Sequence, residues 1–281
     1  MGNEYFFLYK IKDGSKKILE NHFTKGYRMM QDRSKWWKII DFIRSKQEEK
    51  IVGKYDKFVV LSHEDKQKWN DINNITVIPN FITLPDRRYV IEMKQRNKLL
   101  IAVGRLEYQK GLDRIIEACS LIKTDLRGWK IRIYGSGDLK QDLEKQINKE
   151  KLQDIISIHP PTPEIGKIYT QSRGLLFSSR YEGFGMVLIE AMSYGTPSIS
   201  FTCPCGPKDI IQDGIVGILV PNNDIAAFAN AIKTYINDTS IQEQFSEASQ
   251  KRATIFSREE VMKQWSQLFK SLLANDTKAK A

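Results

Sequence analysis

The segment from Ser178 to Met192 carries the residues that are best placed for chemistry. An apolar run typical of a buried strand ends just before it, and an apolar helix is predicted to start at Met186. Gly183 and Gly185 flank Phe184 and have no side chain that would keep a ligand away from the backbone. Since the first N–H groups of a helix have no partner within it, this helix start is predicted to bind an anion such as phosphate.

Two glutamates, Glu182 and Glu190, stand before and within that helix. With a phosphate on the backbone N–H groups, one carboxylate would lie near the group attached beyond the phosphates. The other could accept hydrogen bonds from ribose hydroxyls. In the alternative interpretation, Glu182 is a helix cap and Glu190 a surface residue. The functional interpretation is favoured because Glu190 has apolar neighbours on both sides, a poor place for an idle charge.

Arg105 and Lys110 follow another predicted strand, which ends at Gly104. The glycine allows a tight turn and a close approach of a ligand. An arginine fork and a lysine point charge at one strand end suit a diphosphate, although any surface loop can carry these two residues. The later sequence Gly135-Ser136-Gly137 begins like a dinucleotide-binding fingerprint. Its third glycine is replaced by Lys140, so NAD binding is not predicted.

Cys203 and Cys205 form a Cys-x-Cys pair, which could suggest a metal site. Structural zinc needs about four ligands, whereas the chain has three cysteines, three histidines and no second Cys-x-Cys pair. No metal site is therefore predicted. The small number of cysteines also excludes a disulfide scaffold and is typical of a reducing compartment.

These loops are positioned by a regular alternation of apolar strands and helices that begins near residue 98. Such alternation predicts a parallel sheet covered on both faces, which is a doubly wound, Rossmann-like α/β domain. Ligands bind these sheets at the carboxyl ends of the strands. The chemistry is therefore expected in the loops after Val103, Tyr134, Ile158, Phe177 and Phe201.

The front of the chain is predicted to form a smaller unit that ends at residue 88. Tyr5 to Tyr9 and Phe58 to Ser62 are predicted strands, and Ser62 can cap the next helix, with Asp65 in the capping-box position. Residues 34–54 are predicted to form a basic, roughly amphipathic helix. That helix either lies on an anionic membrane surface or packs in the ordinary way against a core.

The 281 residues carry 44 lysines and arginines against 34 acidic residues, a net charge of +10. Residues 1–88 hold 18 basic and 12 acidic side chains, so the excess is denser at the front. A basic surface favours phosphorylated substrates or anionic lipids, or is an ordinary solvated face. No nucleic-acid-binding motif accompanies the charge, and no nucleic-acid partner is predicted. No apolar run suffices for a membrane span, and residues 1–17 do not resemble a signal peptide.

Three motifs together resemble the retaining family 4 glycosyltransferases of the GT-B fold. They are Val103-Gly104-Arg105-Leu106 with Lys110-Gly111, the Glu-x7-Glu segment from Glu182 to Glu190, and Gly206-Pro207-Lys208-Asp209-Ile210-Ile211. The resemblance implies two facing Rossmann-like domains: an acceptor-side domain in residues 1–88 and a nucleotide-sugar-binding domain in residues 89–258. Residues 259–281 complete a C-terminal helix, predicted from Ser257 to Leu273, that crosses back to the first domain.

The resemblance also implies roles for individual residues. Arg105 and Lys110 would hold the donor diphosphate, Glu182 would contact the donor sugar, Glu190 the ribose hydroxyls, and His159 would lie near the base. The predicted catalytic residues are Glu182, Arg105, Lys110 and His22, and the predicted donor-binding residues are Gly104, Gly183, Phe184, Gly185, Met186, Glu190 and His159. His22 alone is equally compatible with a structural histidine.

The implied reaction is the transfer of a hexose or N-acetylhexosamine, with retention, to a lipid-linked or polysaccharide acceptor. The leaving phosphate itself would assist the acceptor hydroxyl in a cleft that stabilises the developing charge. No Asp-x-Asp motif occurs in the chain, which agrees with a metal-independent reaction and no cofactor beyond the nucleotide-sugar donor, expected to be a UDP-sugar. Asp209 stands where the family more often has glutamate.

The front unit is shorter than the family's first domain, which normally has many more residues upstream of His22. We therefore expect a truncated N-terminal Rossmann-like domain. The alternative function is a nucleotide-sugar-binding but inactive remnant or subunit, with a partner chain supplying the other half. The expected location is the cytoplasm, with peripheral attachment to the inner face of a bacterial membrane.

Overall fold

The computed structural model describes residues 3–31, 34–69, 72–86, 88 and 90–279, and it places two parallel sheets in that part of the chain. The first has the order β1-β2-β3, with strands Ile18–Asn21, Lys57–Val60 and Ile75–Val77. The second has the order β6-β5-β4-β7-β8-β9. Its strands in chain order are β4 Leu99–Val103, β5 Lys130–Tyr134, β6 Ile156–His159, β7 Gly174–Phe177, β8 Ser198–Phe201 and β9 Gly217–Val220.

Helices connect the strands of both sheets, and those of the second sheet follow the alternation that the sequence predicts from about residue 98. In chain order they are α1 Tyr27–Met30, α2 Lys35–Val52, α3 His63–Lys68, α4 Leu112–Leu121, α5 Lys140–Lys149, α6 Ile165–Gln171, α7 Met186–Ser193, α8 Pro207–Ile210, α9 Ile225–Asn237, α10 Thr239–Ala253 and α11 Arg258–Ala279. We call the part built around β1–β3 the N-terminal unit and the part built around β4–β9 the C-terminal unit. The predicted doubly wound α/β architecture is confirmed for the second sheet.

The second sheet separates two apolar cores. Successive side chains of a strand point to opposite faces, so Leu100 of β4 packs with Ile115 of α4 and Ile232 of α9. Its neighbour Ile101 packs on the other face with Leu188 of α7. Burial on both faces explains why these strands are nearly all apolar.

Helix α11 returns to the N-terminal unit. Its residues Val261, Leu268 and Leu272 form an apolar cluster with Val59 of β2 and Ile78. The predicted helix ends at Leu273, whereas the observed helix continues to Ala279. None of the helices in the described ranges is long and apolar enough to cross a membrane.

Two local features of the N-terminal unit settle sequence predictions. The predicted strand from Tyr5 to Tyr9 is wrong, because the chain forms 3-10 helices at Asn3–Phe6 and Leu8–Lys10. Tyr55, which lies just before β2, donates a hydrogen bond to the Tyr5 carbonyl at 2.8 Å and so ties this segment to the N-terminal unit. The predicted cap is confirmed, since the Ser62 hydroxyl accepts a hydrogen bond from the Asp65 N–H at 3.0 Å.

Candidate active site

The order of the strands in the second sheet brings two predicted loops together. The order reverses between β4 and β7, which are direct neighbours. In a doubly wound sheet, the crevice at such a reversal is the usual ligand site. The loop after β4 carries Arg105 and Lys110, and the loop after β7 carries Glu182, so the fold places all three at this crevice.

Lys110 and Glu182 form a direct ion pair at the base of the crevice. The Lys110 ammonium donates a hydrogen bond to Glu182 Oε1 at 2.7 Å, and both side chains are largely buried. The Ser179 hydroxyl donates to the same oxygen at 2.6 Å. Glu182 is therefore not a free helix cap, because two donors hold its carboxylate in one orientation.

Arg105 lies at the mouth of the crevice and is mostly exposed. Its guanidinium pairs with Glu107 at 2.8 Å and donates to Gln109 Oε1 at 3.1 Å. The Gln109 amide in turn donates to the Tyr181 carbonyl at 3.1 Å. Exposed ion pairs contribute little energy, so Arg105 can exchange these partners for an anionic ligand at low cost.

The start of α7 has the geometry that the two glycines predicted. Gly185 is the cap residue, with a left-handed φ of 98°, and its helix start receives no side-chain cap. Phe184 is buried and makes an edge contact with Phe256 at a centroid distance of 5.9 Å. The buried ring holds the turn, and Met186 then begins the helix.

Gly183 is required for a contact that the sequence alone does not predict. A Cβ atom at this position would lie 2.0 Å from the carbonyl oxygen of His22. The loop after β1 thus packs directly on the motif after β7. His22 is brought to the crevice through its backbone, while its exposed imidazole lies 3.5 Å from the Glu20 carboxylate.

Glu190 lies one turn inside α7 and is half-buried. Burial raises the pKa of its carboxyl group, an effect that a hydrogen bond from the Tyr169 hydroxyl at 3.3 Å partly opposes. Burial of the Tyr169 side chain, together with the nearby Glu190 carboxylate, raises the pKa of Tyr169. Glu190 is therefore a half-desolvated acceptor rather than an ordinary surface charge.

His159 ends β6, next to β5. Its ring stacks on Tyr134 at a centroid distance of 5.1 Å, and its Nε2 lies 2.8 Å from the Ser157 hydroxyl. Burial and the nearby Arg132 lower the pKa of the imidazole. The neutral ring and its aromatic neighbour Tyr134 form a flat surface at the carboxyl ends of β5 and β6.

The glycines after β5 have a packing role. A Cβ atom on Gly135 would lie 1.9 Å from the Gly104 carbonyl oxygen, and one on Gly137 would lie 2.5 Å from the Leu106 carbonyl oxygen. These glycines let the loops after β4 and β5 pack closely. Gly104 faces the Lys110 stem, since its own Cβ would lie 3.2 Å from Lys110 Cγ.

A cavity of about 110 Å³ lies between the two units. The N-terminal unit contributes Phe23 and Tyr27, whose rings stack at a centroid distance of 4.6 Å. The C-terminal unit contributes Arg105, Glu182 and Gly183 to the same cavity. Sequence analysis did not identify Phe23 and Tyr27, and only their proximity to His22 in the chain could have indicated them.

Asp209 joins the two units through the backbone of α3. Its carboxylate accepts hydrogen bonds from the N–H groups of His63 at 2.8 Å and Glu64 at 3.2 Å, so it caps a helix of the other unit. Glu64 in turn accepts from the Cys205 N–H at 3.0 Å. Asp209 lies within the motif from Gly206 to Ile211, and Cys205 directly precedes it.

Cys205 of the Cys-x-Cys pair is part of this contact. Cys203 and Cys205 are buried free thiols, and the Cys205 sulfur lies 2.8 Å from the Thr24 hydroxyl and 3.1 Å from the Lys68 ammonium. Burial raises the pKa of the Cys205 thiol to about 11. Within the described ranges, no group of three or more His, Cys, Asp or Glu side chains could hold a metal ion.

The family follows from a direct match. The glycosyl transferases group 1 family matches residues 86–252, which is more than half of the chain and includes the strand reversal and both loops described above. The chain belongs to this family. The chain is also similar to individual proteins and to solved structures.

The amylovoran biosynthesis glycosyltransferase AmsD of Erwinia amylovora is 30% identical over 223 residues, which is 77% of this chain and 62% of AmsD. The poly(ribitol-phosphate) alpha-N-acetylglucosaminyltransferase of Staphylococcus aureus is 28% identical over 202 residues, which is 72% of this chain and 40% of the transferase. The group 1 chain therefore spans less than two thirds of the length of these relatives.

A solved structure extends the likeness to the fold of both units. A TarM variant from S. aureus, crystallised with fondaparinux, alpha-GlcNAc-glycerol and UDP, matches 92% of this chain and 51% of its own. The TM-score is 0.79 at 23% sequence identity. The match confirms the GT-B fold predicted for this group 1 chain.

Proposed function

We propose that the chain is a retaining, metal-independent glycosyltransferase that moves a sugar from a UDP-sugar to a glycan or lipid-linked acceptor. One observation carries the proposal: Arg105, Lys110, Glu182 and the start of α7 lie at a single crevice, which the loop of the N-terminal unit covers. Family membership supports the transfer of a glycosyl group. The UDP in the TarM complex supports the choice of nucleotide.

The Lys110–Glu182 pair is proposed to exchange partners when the donor binds. The donor diphosphate would take over the Lys110 ammonium, with Arg105 and the N–H groups at the start of α7 as further donors. Glu182 would then be free to accept hydrogen bonds from hydroxyls of the donor sugar, while Ser179 keeps its carboxylate oriented. The ion pair at 2.7 Å thus holds the two groups in place before the ligand arrives.

The rest of the nucleotide would extend toward α7 and β6. Glu190 is proposed to accept hydrogen bonds from the ribose hydroxyls, and His159 with Tyr134 to lie beside the base. A half-buried carboxylate suits the ribose, because the two ribose hydroxyls would each donate a hydrogen bond to it. These hydrogen bonds would replace the water that the carboxylate loses on burial.

The transfer step needs no base from the protein. The bond between the anomeric carbon and the diphosphate oxygen breaks, and the acceptor oxygen bonds to that carbon on the same face. The acceptor proton passes to an oxygen of the departing diphosphate. Arg105, Lys110 and the start of α7 would stabilise the negative charge that develops on the leaving group, which is the task that a cation performs in metal-dependent transferases.

The cavity lined by Phe23 and Tyr27 is the proposed entrance for the acceptor. Aromatic rings stack on the apolar faces of sugars, and this pair faces Arg105 and Glu182 across the cavity. The excess of basic residues at the front suits a phosphate-bearing acceptor. The S. aureus relative is named for a poly(ribitol-phosphate) acceptor, which is a polymer of that kind.

The proposed location is the cytoplasmic side of a bacterial membrane, because the three cysteines are free and buried, as in proteins of reducing compartments. A fractionation experiment with an antibody to the chain tests this. The chain should pellet with inner membranes and be released by high salt.

A donor panel tests the proposed reaction. Purified chain is incubated with UDP- and GDP-sugars, with and without EDTA, and with phosphate-bearing and neutral glycan acceptors. We expect UDP release with one sugar, unchanged by EDTA, and a product whose anomeric configuration matches the donor. Arg105→Ala should lower the turnover. Donor binding without turnover under every acceptor would instead support the alternative, an inactive remnant or a subunit that needs a partner chain.

A further inference from the structure

Helix α2 has the reverse polarity of an ordinary surface helix. Its buried positions are Asp41, Ser45, Glu48 and Val52. Its exposed positions include large apolar side chains, with exposed fractions of 70% for Trp36, 48% for Trp37, 55% for Ile39, 54% for Phe42 and 52% for Ile43. Of the two interpretations left open by the sequence, packing against a core is therefore wrong for these five residues, whereas Val52 at the end of the helix does pack in a core cluster.

The inward face of α2 is fixed by polar contacts. Glu48 accepts hydrogen bonds from Arg28 at 2.6 Å and from the Tyr5 hydroxyl at 3.4 Å. Turning the helix to bury its aromatic side chains would break these contacts and leave the partly buried Arg28 without its carboxylate. The packing of the polar face of α2 thus determines that the apolar residues point outward.

Three of the exposed apolar residues form a continuous stripe. Trp36, Ile39 and Ile43 are three and four positions apart, so they lie on one face of the helix. That face is opposite the buried positions Asp41, Ser45 and Glu48. Monomeric proteins rarely leave so large an apolar patch in water, and such a patch usually contacts a partner or a membrane.

The charges around the stripe distinguish these possibilities. The exposed charged residues of α2 are all basic, namely Lys35, Lys38, Arg44, Lys46 and Lys50. Its acidic residues do not add free negative charge to the exposed face, because Asp41 and Glu48 are buried and Glu49 pairs with Lys25 at 2.7 Å. A tryptophan pair and apolar side chains bordered by lysines match the interface of an anionic bilayer.

We infer that the outward face of α2 binds the surface of a membrane containing anionic lipids. Trp36, Ile39, Phe42 and Ile43 enter the boundary between headgroups and acyl chains, and the lysines contact lipid phosphates. Because α2 follows closely after Tyr27, which lines the cavity, the membrane would also present a lipid-linked acceptor near the entrance. That last consequence rests on the proposed transfer reaction, whereas the binding to lipid does not.

Vesicle binding tests the inference on the full chain without any activity assay. The chain is sedimented with vesicles of phosphatidylcholine alone and of phosphatidylcholine with phosphatidylglycerol. We expect binding to the anionic vesicles, weak binding to the neutral ones, and release by high salt. Tryptophan emission should shift to the blue and be quenched by brominated lipid, because Trp36 and Trp37 are exposed while Trp69 and Trp129 are buried.

Two variants show whether α2 is responsible. The triple variant Trp36→Ser, Ile39→Ser and Ile43→Ser should keep the circular dichroism of the parent, since all three side chains are exposed, and should lose about tenfold or more in lipid affinity. Leu121→Ser, which removes another side chain exposed at 61%, is the matched control and should bind like the parent. Absence of binding to anionic vesicles, or equal loss in both variants, overturns the inference. Lipid-independent dimerisation that the triple variant abolishes also overturns it, in favour of a second copy.

Discussion

At the scale of the residue, the candidate site depends on how Glu182 is held. Its Oε1 atom accepts hydrogen bonds from both Lys110 and Ser179. The sequence indicated the two charged residues but not the serine, because a hydroxyl beside a strand end carries no pattern of its own. Ser179 is thus a positioning residue, which acts through the carboxylate that it orients.

Replacing Ser179 tests this positioning role. Ser179→Ala should reduce kcat by about tenfold, because a hydrogen bond to a charged group is lost. The affinity for UDP should remain within about twofold, since Glu182 is proposed to contact the sugar and not the nucleotide. Ser179→Thr, which keeps the hydroxyl, should restore most of the rate. Steady-state kinetics and calorimetry measure both quantities, and an equal loss in UDP affinity would contradict the role.

Glu190 gives a prediction about pH. Burial raises the pKa of its carboxyl group above the ordinary value, because the desolvated surroundings disfavour the charged form. Ribose hydroxyls favour the ionised form, and UDP affinity should therefore fall as the pH decreases through this raised pKa. Calorimetry over a series of decreasing pH values, from neutral pH down to the ordinary carboxyl pKa, measures the trend.

Glu190→Gln is the matched control for that titration. Its UDP affinity should be lower than that of the parent at neutral pH and should lack the dependence on pH. Because the pKa of Glu190 is raised in the folded protein, ionisation of this carboxyl group lowers the free energy of unfolding at pH values above that pKa. The unliganded variant, which carries no charge there, should therefore be at least as stable as the parent at neutral pH. A variant with the same pH profile as the parent would remove Glu190 from the ribose site.

At the scale of the element, the loop after β7 has two tasks. It begins α7 with a positive φ at Gly185, and it receives the loop of the N-terminal unit at Gly183. The first task was predicted from the glycine and the apolar helix. The second could not be, because the loop that it meets is distant in the chain.

Gly183→Ala should separate these loops. Its Cβ atom would lie 2.0 Å from the His22 carbonyl oxygen, and the contact is with backbone, which cannot simply move aside. We expect a loss of transfer of about tenfold or more together with a lower melting temperature. Gly53→Ala is the control, since a Cβ atom there has no neighbour closer than 3.9 Å. Normal kinetics in Gly183→Ala would show that this contact does not matter for the reaction.

At the scale of the whole molecule, the two units are joined by the segment after β8 and by α11. Asp209 caps α3, and Val261 and Leu268 of α11 pack against β2. Asp209 thus has a structural role here, because its carboxylate accepts hydrogen bonds from two N–H groups of the opposite unit.

Asp209→Ala should loosen the arrangement of the units. Loss of a helix cap costs about 1 kcal/mol, and hydrogen exchange at residues 63–68 should increase. Lys208→Ala is a suitable control, because that exposed lysine lies 3.6 Å from Glu64 in a surface ion pair of little weight. If exchange at α3 stays unchanged in Asp209→Ala, the carboxylate does not hold the units together.

The sequence by itself determined the local features of this protein. Strand and helix periods, the glycines before α7, the cap at Ser62 and the grouping of Arg105 with Lys110 all follow from residue types a few positions apart. Such features depend on backbone geometry within one element, which short spacing describes well.

Only the tertiary structure decided which elements meet. The strand order that places Lys110 against Glu182, the contact of Gly183 with His22, and the cap that Asp209 gives to α3 all join residues far apart in the chain. The orientation of α2 is the clearest case, because its amphipathic sequence is compatible with the apolar face pointing inward or outward. The physical reason is that periodicity fixes which residues share a face, whereas the contacts of Glu48 with Arg28 and Tyr5 decide which face points inward.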